Sequence, residues 1–435
     1  MKKIMILAAS AALVLAGCAK NDVISNNEMG TPLTFGVYAS NAATKAVSAT
    51  DFGTVTTNSL GKSTNKGFGV FAYYTNDADY SSANIANFMY NQKVTGDGNG
   101  TAAASVWTYA PIKYWPNEHG TSAVSTGVDK LTFLCYAPWV ENLAINGATE
   151  STVKGTDDAA ATEGIIAMTG NATASDAVLT FKVPASSQEQ IDLLYGVLNT
   201  QSVNVDGVSE GTVNSAIKDL TKEKTGGKVD INFKHALAKV AIDIKEVVDA
   251  EEGPTSVDPA SGSPKVTKVV VKEIKLLGED LATQGKLNLY TGAWGDVNAA
   301  TEFAVTPLDE AVYAVAAAPT SYPSIAGVDE DGLAEKINLM LIPARDSDPK
   351  DISKITGVEI IYYVCTQDAN LQNSVSVVEN HITKDFATAI TLSKGKAYGI
   401  NILLGLTSVK LTASVVGWDE VTPATEVDLP KNDTE

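Results

Sequence analysis

The feature that most constrains this 435-residue chain is a period of two in its apolar residues, which recurs along its length. Leu33, Phe35 and Val37 alternate with polar or small neighbours, and residues 131–137 and 179–183 repeat the pattern. Such alternation places apolar side chains on one face of a β-strand. Other runs are apolar throughout, as is typical of strands covered on both faces: residues 67–74, 269–277, 337–342 and 358–365. We therefore predict an all-β fold of mostly antiparallel strands packed in sandwiches.

Two changes of phase and one polar stretch predict how these strands are organised. Apolar residues move from odd to even positions within 229–244, which predicts a break near 235–239. A similar change at 405–408 predicts a hairpin. Glycines and lysines in 199–228 indicate a domain boundary, so we predict two sandwiches in tandem, 31–222 and 223–435. Helical periodicity is weak, and only short helices are predicted, at 187–195 and 214–222.

The N-terminus has the organisation of a bacterial lipoprotein signal. Lys2 and Lys3 precede an apolar run at 4–15 that is too short to span a bilayer. The sequence Leu-Ala-Gly-Cys at 15–18 then reads as a lipobox. We predict a signal peptide at 1–17, palmitate on Cys18 and a polar tether at 18–30. An ordinary secretory signal that happens to contain a cysteine is the alternative.

Charge and composition argue against several classes of function. The formal charge of −19 disfavours nucleic acid and anionic membrane surfaces as partners. The histidines, His119, His235 and His381, lie far apart, and no serine or cysteine has the setting of a nucleophile. We predict a protein that is not an enzyme and has no cofactor and no metal. Cys135 and Cys365 fit buried thiols better than a disulfide.

One aromatic group is compatible with ligand binding. Trp107, Trp115 and Trp139 stand among tyrosines between residues 107 and 139. Aromatic side chains on a β-sandwich can hold sugars by stacking. They also dominate the energetics of cores, so burial in one end of a sandwich is the competing interpretation.

Several motifs together resemble one family over nearly the whole chain. They are WTYAPIKYWP at 107–116, KLTFLCYAP at 130–138, QIDLLY at 190–195, FKHALAKV at 233–240, MLIP at 340–343 and GKAY at 395–398. Their order and spacing resemble the fimbrillin (Mfa-like) family of type V pilus subunits. The resemblance implies two transthyretin-like sandwiches and a lipoprotein precursor carried to the outer membrane.

The resemblance also implies assembly by proteolysis and donor-strand exchange. A protease would remove segment 31–45, with Leu33, Phe35 and Val37 as the displaced strand. The cut would fall between Lys45 and Ala46, where the family usually has an arginine before the cut. The tail 419–435 has strand alternation and is the predicted donor, through Val421, Val427 and Leu429.

The function expected from these features is that of a structural subunit of surface fimbriae that serves adhesion. Its partners would be other pilin subunits, identical or different, and the outer membrane through the lipid. The alternative is a monomeric surface lipoprotein, at a pilus tip or anchor or as a stand-alone adhesin. That protein would bind a glycan or a host protein through the aromatic group.

Overall fold

The structure is a computed structural model that describes residues 30–39, 67–96, 106–116, 129–186, 189–198, 216–246, 267–305, 333–343, 353–368, 370–404 and 409–417. These residues form three β-sheets. The all-β class predicted from the alternation is confirmed.

Sheet I has eight strands, with the order β1-β11-β9-β5-β2-β3-β4 and β10 paired with β5. Its strands are β1 (Thr34–Ala39), β2 (Phe68–Asn76), β3 (Met89–Gly96), β4 (Trp107–Thr108), β5 (Lys130–Ala137), β9 (Leu194–Leu198), β10 (Ile217–Leu220) and β11 (Lys228–His235). One short helix, α1 (Lys222–Thr225), precedes β11.

Sheet II has four strands in the order β15-β12-β18-β19. They are β12 (Ala238–Glu246), β15 (Leu333–Leu341), β18 (Lys396–Leu404) and β19 (Val409–Gly417). Sheet III has seven strands, with the order β17-β16-β13-β8-β7-β6 and β14 paired with β13. They are β6 (Glu150–Thr152), β7 (Gly164–Thr169), β8 (Val178–Lys182), β13 (Thr267–Asn288), β14 (Trp294–Val305), β16 (Lys354–Gln367) and β17 (Val375–Thr391), and a short 3-10 helix spans Thr156–Asp158.

Two hydrophobic cores lie on opposite faces of sheet I. The first, which we call the groove core, is built from sheet I and the segment 107–115, and includes Phe35, Phe68, Trp115 and Phe133. The second is larger and joins the other face of sheet I to sheets II and III. Strands β2 and β5 are therefore buried on both faces. The apolar run at 67–74 predicts this for β2, whereas the alternation at 131–137 predicts burial of only one face of β5, and Leu134 and Tyr136 on its other face are buried as well.

The predicted changes of phase are confirmed. β11 ends at His235 in sheet I and β12 begins at Ala238 in sheet II, so the change of phase marks the crossing between sheets. Residues 396–404 and 409–417 pair as antiparallel strands. The tandem division at 222/223 stays a prediction. Strands from both sides of this boundary share sheets, since β11 joins sheet I and β8 pairs with β13.

The helices expected at 187–195 and 214–222 are wrong in most of the described part of those ranges, where only Glu189, in a 3-10 turn, and Lys222, the first residue of α1, are helical. Ile217 and Leu220 have helical spacing, yet both point into the groove core from strand β10. Asp219 adopts a φ of 54°, and the register with β5 shifts between the two apolar residues. A bulge adds the residue that lets positions three apart share one face of a strand. Cys135 and Cys365 are buried free thiols, as expected.

Candidate functional site

Strand β1, the predicted displaced strand, lies at one edge of sheet I. It pairs in parallel with β11, from Thr34 opposite Lys228 to Ala39 opposite Phe233. Among the described strands, β11 is its only ladder partner. Removing an edge strand breaks one ladder and leaves the rest of the sheet paired.

The apolar side chains at β1 are buried on the face that the alternation in the sequence predicts. Leu33, Phe35 and Val37 are buried in the groove core, with exposures of 1%, 4% and 2%. Phe35 is the central anchor: its ring centroid lies 5.8 Å from that of Phe68, 5.6 Å from that of Tyr109 and 6.0 Å from that of Phe133, each edge to face. Such T-shaped pairs stabilise beyond the area that they bury.

The entry to β1 is held on both sides by backbone hydrogen bonds. The Leu33 N–H donates to the Lys113 carbonyl at 2.9 Å, and the Trp115 N–H donates to the Thr31 carbonyl at 2.9 Å. The Tyr109 hydroxyl donates to the Leu33 carbonyl, also at 2.9 Å. Segment 109–115 is therefore the second wall of the groove, opposite β11.

One carbonyl ties the two walls together. The Gly227 carbonyl accepts from the Thr34 N–H at 3.2 Å and from Trp115 Nε1 at 2.9 Å. Gly227 has a φ of 92°, a conformation that favours glycine. The turn before β11 can therefore aim this carbonyl at the start of β1.

Burial keeps two titratable groups of the groove core uncharged. Burial raises the pKa of the Tyr109 hydroxyl, so Tyr109 remains a hydrogen-bond donor at neutral pH. Burial also raises the pKa of the Cys135 thiol, which lies in the groove core. Both shifts favour the uncharged form, which suits a site that holds an apolar strand.

The predicted ligand aromatics divide between the core and the surface. Trp107 and Trp115 are 6% and 3% exposed and belong to the groove core, where they are covered by neighbouring side chains. Trp139 is half-buried, and Lys93 Nζ lies 4.5 Å from its ring centroid. The three indoles therefore do not form one exposed platform. A shallow depression of about 440 Å³ is lined by Gln92, Lys93, Thr95, Thr108, Tyr109 and Ala110.

Other predicted site residues lie outside the described residues. They are the lipidation site Cys18, the processing residues Lys45 and Ala46, and the donor residues Val421, Val427 and Leu429. No helix within the described ranges is long and apolar enough to cross a membrane. The described residues also contain no group of His, Cys, Asp or Glu side chains with the geometry of a metal site.

The sequence did not point to the residues that lie behind β1. Lys228 and Asp230 form an ion pair of 2.9 Å on β11, next to Gly36 of β1. The available signal was the glycine itself, which stands between Thr34 and Tyr38 in the polar phase of the strand. A glycine inside a strand often marks the close approach of another group.

Comparisons with known proteins agree with the resemblance found in the motifs. The sequence profile of the fimbrillin-like family matches residues 54–418. The fimbrium subunit Fim1C of Phocaeicola vulgatus is 25% identical over 392 residues, which cover 89% of this chain and 83% of that protein. A crystal structure of a fimbrial protein from Bacteroides vulgatus is 20% identical, with a TM-score of 0.49 over 89% of this chain and 99% of that one. With the family profile covering most of its length, the chain belongs to the fimbrillin-like family.

Proposed function

We propose that this chain is a structural subunit of surface fimbriae, assembled by proteolysis and donor-strand exchange. The observation that carries the proposal is the position of β1 and the burial of its apolar side chains. β1 is the first described strand, it sits at a sheet edge, and its Phe35 and Val37, together with Leu33 just before it, are buried in the groove core. A strand in this position can be exchanged for another without rebuilding the sheet.

The energetics fit a stable precursor that needs a cut before it can assemble. Burial of Leu33, Phe35 and Val37 stabilises β1 by about 5–9 kcal/mol, at about 1.5–3 kcal/mol for each side chain. While the chain is intact, the covalent link keeps β1 at high local concentration beside its groove. A cut after Lys45 would remove that advantage, and a donor strand from another subunit could then compete.

The anchor and the location follow from the same proposal. Cys18 would carry the lipid that holds the precursor at the outer membrane, and the mature subunit would join a fimbrium at the cell surface. The fimbrium subunit from Phocaeicola vulgatus supports this location. Its partners would be other pilin subunits. A structural role, rather than catalysis, is supported by the family.

The test is to cut purified precursor with trypsin and look for ladders on SDS gels. We expect ladders from the natural chain, and none from a chain with Val427→Asp and Leu429→Asp, which should still fold. Lys45→Gln is the matched control, because it keeps the donor and removes the proposed cut. Monomers alone after cleavage at Lys45, or ladders from the double variant, would contradict the donor assignment.

The alternative function, a monomeric surface lipoprotein that binds a glycan or host protein, has weaker support. Two of its three tryptophans are covered in the groove core. Mass spectrometry of surface-purified protein separates the two functions. An N-terminus at Ala46 supports the polymer, and one at acylated Cys18 supports the monomer.

A further inference from the structure

Gly36 occupies the centre of β1, on the face that points away from the groove core. It is buried and stands opposite Asp230 in the parallel register with β11. A Cβ at this position would collide with Asp230 Oδ1 and would lie 2.6 Å from Lys228 Cε. The Asp230–Lys228 ion pair therefore closes over the backbone of β1 at its one residue without a side chain.

This pair has little freedom to yield on the aspartate side. Asp230 is 5% exposed and its side chain is short, so its carboxylate has little open space into which it could rotate away from Gly36. Its ion pair with Lys228 would also be lost or lengthened. The Lys228 side chain is 48% exposed and can move more freely. Asp230 is therefore the residue that limits the space.

The position matters because apolar alternation alone does not define the register of β1. A slip by one residue would turn Leu33, Phe35 and Val37 away from the core and is excluded by burial. A slip by two residues keeps the apolar phase. It would bring Thr34 or Tyr38 opposite Asp230, and each of these residues has a Cβ where only a glycine fits.

We propose that the Asp230–Lys228 pair sets the register of β1, by admitting only a glycine of this strand at the position opposite Asp230. In the intact chain the pair selects one register of β1. The consequence for strand exchange rests on the proposed function: the tail 419–435 contains no glycine, so its entry in place of β1 would require the Asp230–Lys228 pair to move.

The intact chain tests the register role without any assembly. We expect Gly36→Ala to reduce hydrogen-exchange protection of Thr34–Ala39 by roughly tenfold or more. This direction is opposite to the usual effect, because alanine is ordinarily the better strand residue. Gly295→Ala is the matched control. Gly295 lies in strand β14, and a Cβ added there would meet open space, so hydrogen-exchange protection of β14 should not fall.

The variant Asp230→Ala tests whether Asp230 causes the loss of hydrogen-exchange protection in Gly36→Ala. If Asp230 limits the space, Gly36→Ala should cost much less protection in the Asp230→Ala background than in the natural chain. An equal loss in both backgrounds, or a Gly36→Ala variant as well protected as the natural chain, would overturn the proposal.

A second measurement tests the same selection on β1 supplied as a free strand. A labelled peptide that copies residues 31–39 is added to the trypsin-cut protein, beside the same peptide with alanine in place of Gly36. Entry of the glycine peptide alone supports the selection. Equal entry of both peptides overturns it. Entry of neither would contradict strand exchange in this protein, while the register role in the intact chain would still be decided by hydrogen exchange.

Discussion

Phe35→Ala should release β1 while leaving the rest of the protein folded. Phe35 is 4% exposed and makes edge-to-face contacts with three rings. Truncation of a buried phenylalanine costs about 3–5 kcal/mol through lost transfer energy and a cavity. The three ring contacts place the expected value towards the upper end of that range.

The loss should be local, because β1 is an edge strand with one ladder partner among the described strands. Even the lower end of that range, about 3 kcal/mol, corresponds to roughly a hundredfold faster exchange when amides exchange through local opening, so we expect an acceleration of at least about a hundredfold. Hydrogen exchange followed by mass spectrometry should show this acceleration in Thr34–Ala39. Exchange in β13 and β16 should stay close to that of the natural chain.

Val378→Ala provides the control, since Val378 is a strand residue that is 54% exposed. It should leave exchange in β1 unchanged. Two results would refute the reasoning. Acceleration in β1 below about tenfold would mean that Phe35 is not its main anchor. Equal acceleration in all strands would mean that β1 does not open separately.

Three further predictions concern the anchor, the core and the acid range. Cys18→Ser should abolish acylation, because the hydroxyl lacks the thiol chemistry; a palmitate analogue that still labels the variant would contradict this. Phe133→Ala should lower the free energy of unfolding by about 3–5 kcal/mol, since Phe133 is fully buried; guanidinium denaturation measures the loss, and a change below about 1 kcal/mol would be inconsistent with that burial. Glu359→Gln should destabilise the protein near neutral pH but not in acid. Lys275 Nζ lies 3.0 Å from Glu359 Oε1 and holds the pKa of that carboxyl below its usual value of 4.5. The stabilisation by this ion pair is therefore fully present above about pH 4.5, and it disappears as the pH falls through the pKa of Glu359 in the folded state. Thermal unfolding against pH checks it, and a gap between the two proteins that persists in strong acid would argue against the ion pair.

Much of the fold can be predicted from the sequence, because apolar residues alternate with polar ones along a strand that is covered on one face. The alternation of Leu33, Phe35 and Val37 predicts which side of β1 is buried, and the structure agrees. The change of phase after Phe233 predicts a break, and there the chain passes from sheet I to sheet II. These features are local, so a short window of sequence contains them.

Features that depend on distant partners could not be predicted in this way. The parallel pairing of β1 with β11 joins residues nearly two hundred positions apart, and nothing in either strand specifies its direction. The spacing of Ile217 and Leu220 indicates a helix until the bulge at Asp219 is known. Burial of Trp107 and Trp115, rather than exposure to a ligand, likewise depends on residues from other strands, with Phe68 packed against Trp107 and Phe133 against Trp115.

The contacts that hold β1 in the intact chain also define the surface that the removal of β1 would expose. Without β1, the pocket of Phe35 would expose Phe68, Tyr109 and Phe133, and the β11 backbone would lose one of its two ladder partners, keeping β9. Exposed apolar pockets beside unpaired backbone favour the addition of another strand. A single edge strand can therefore complete the core of the precursor and, once lost, create the site at which the next strand binds.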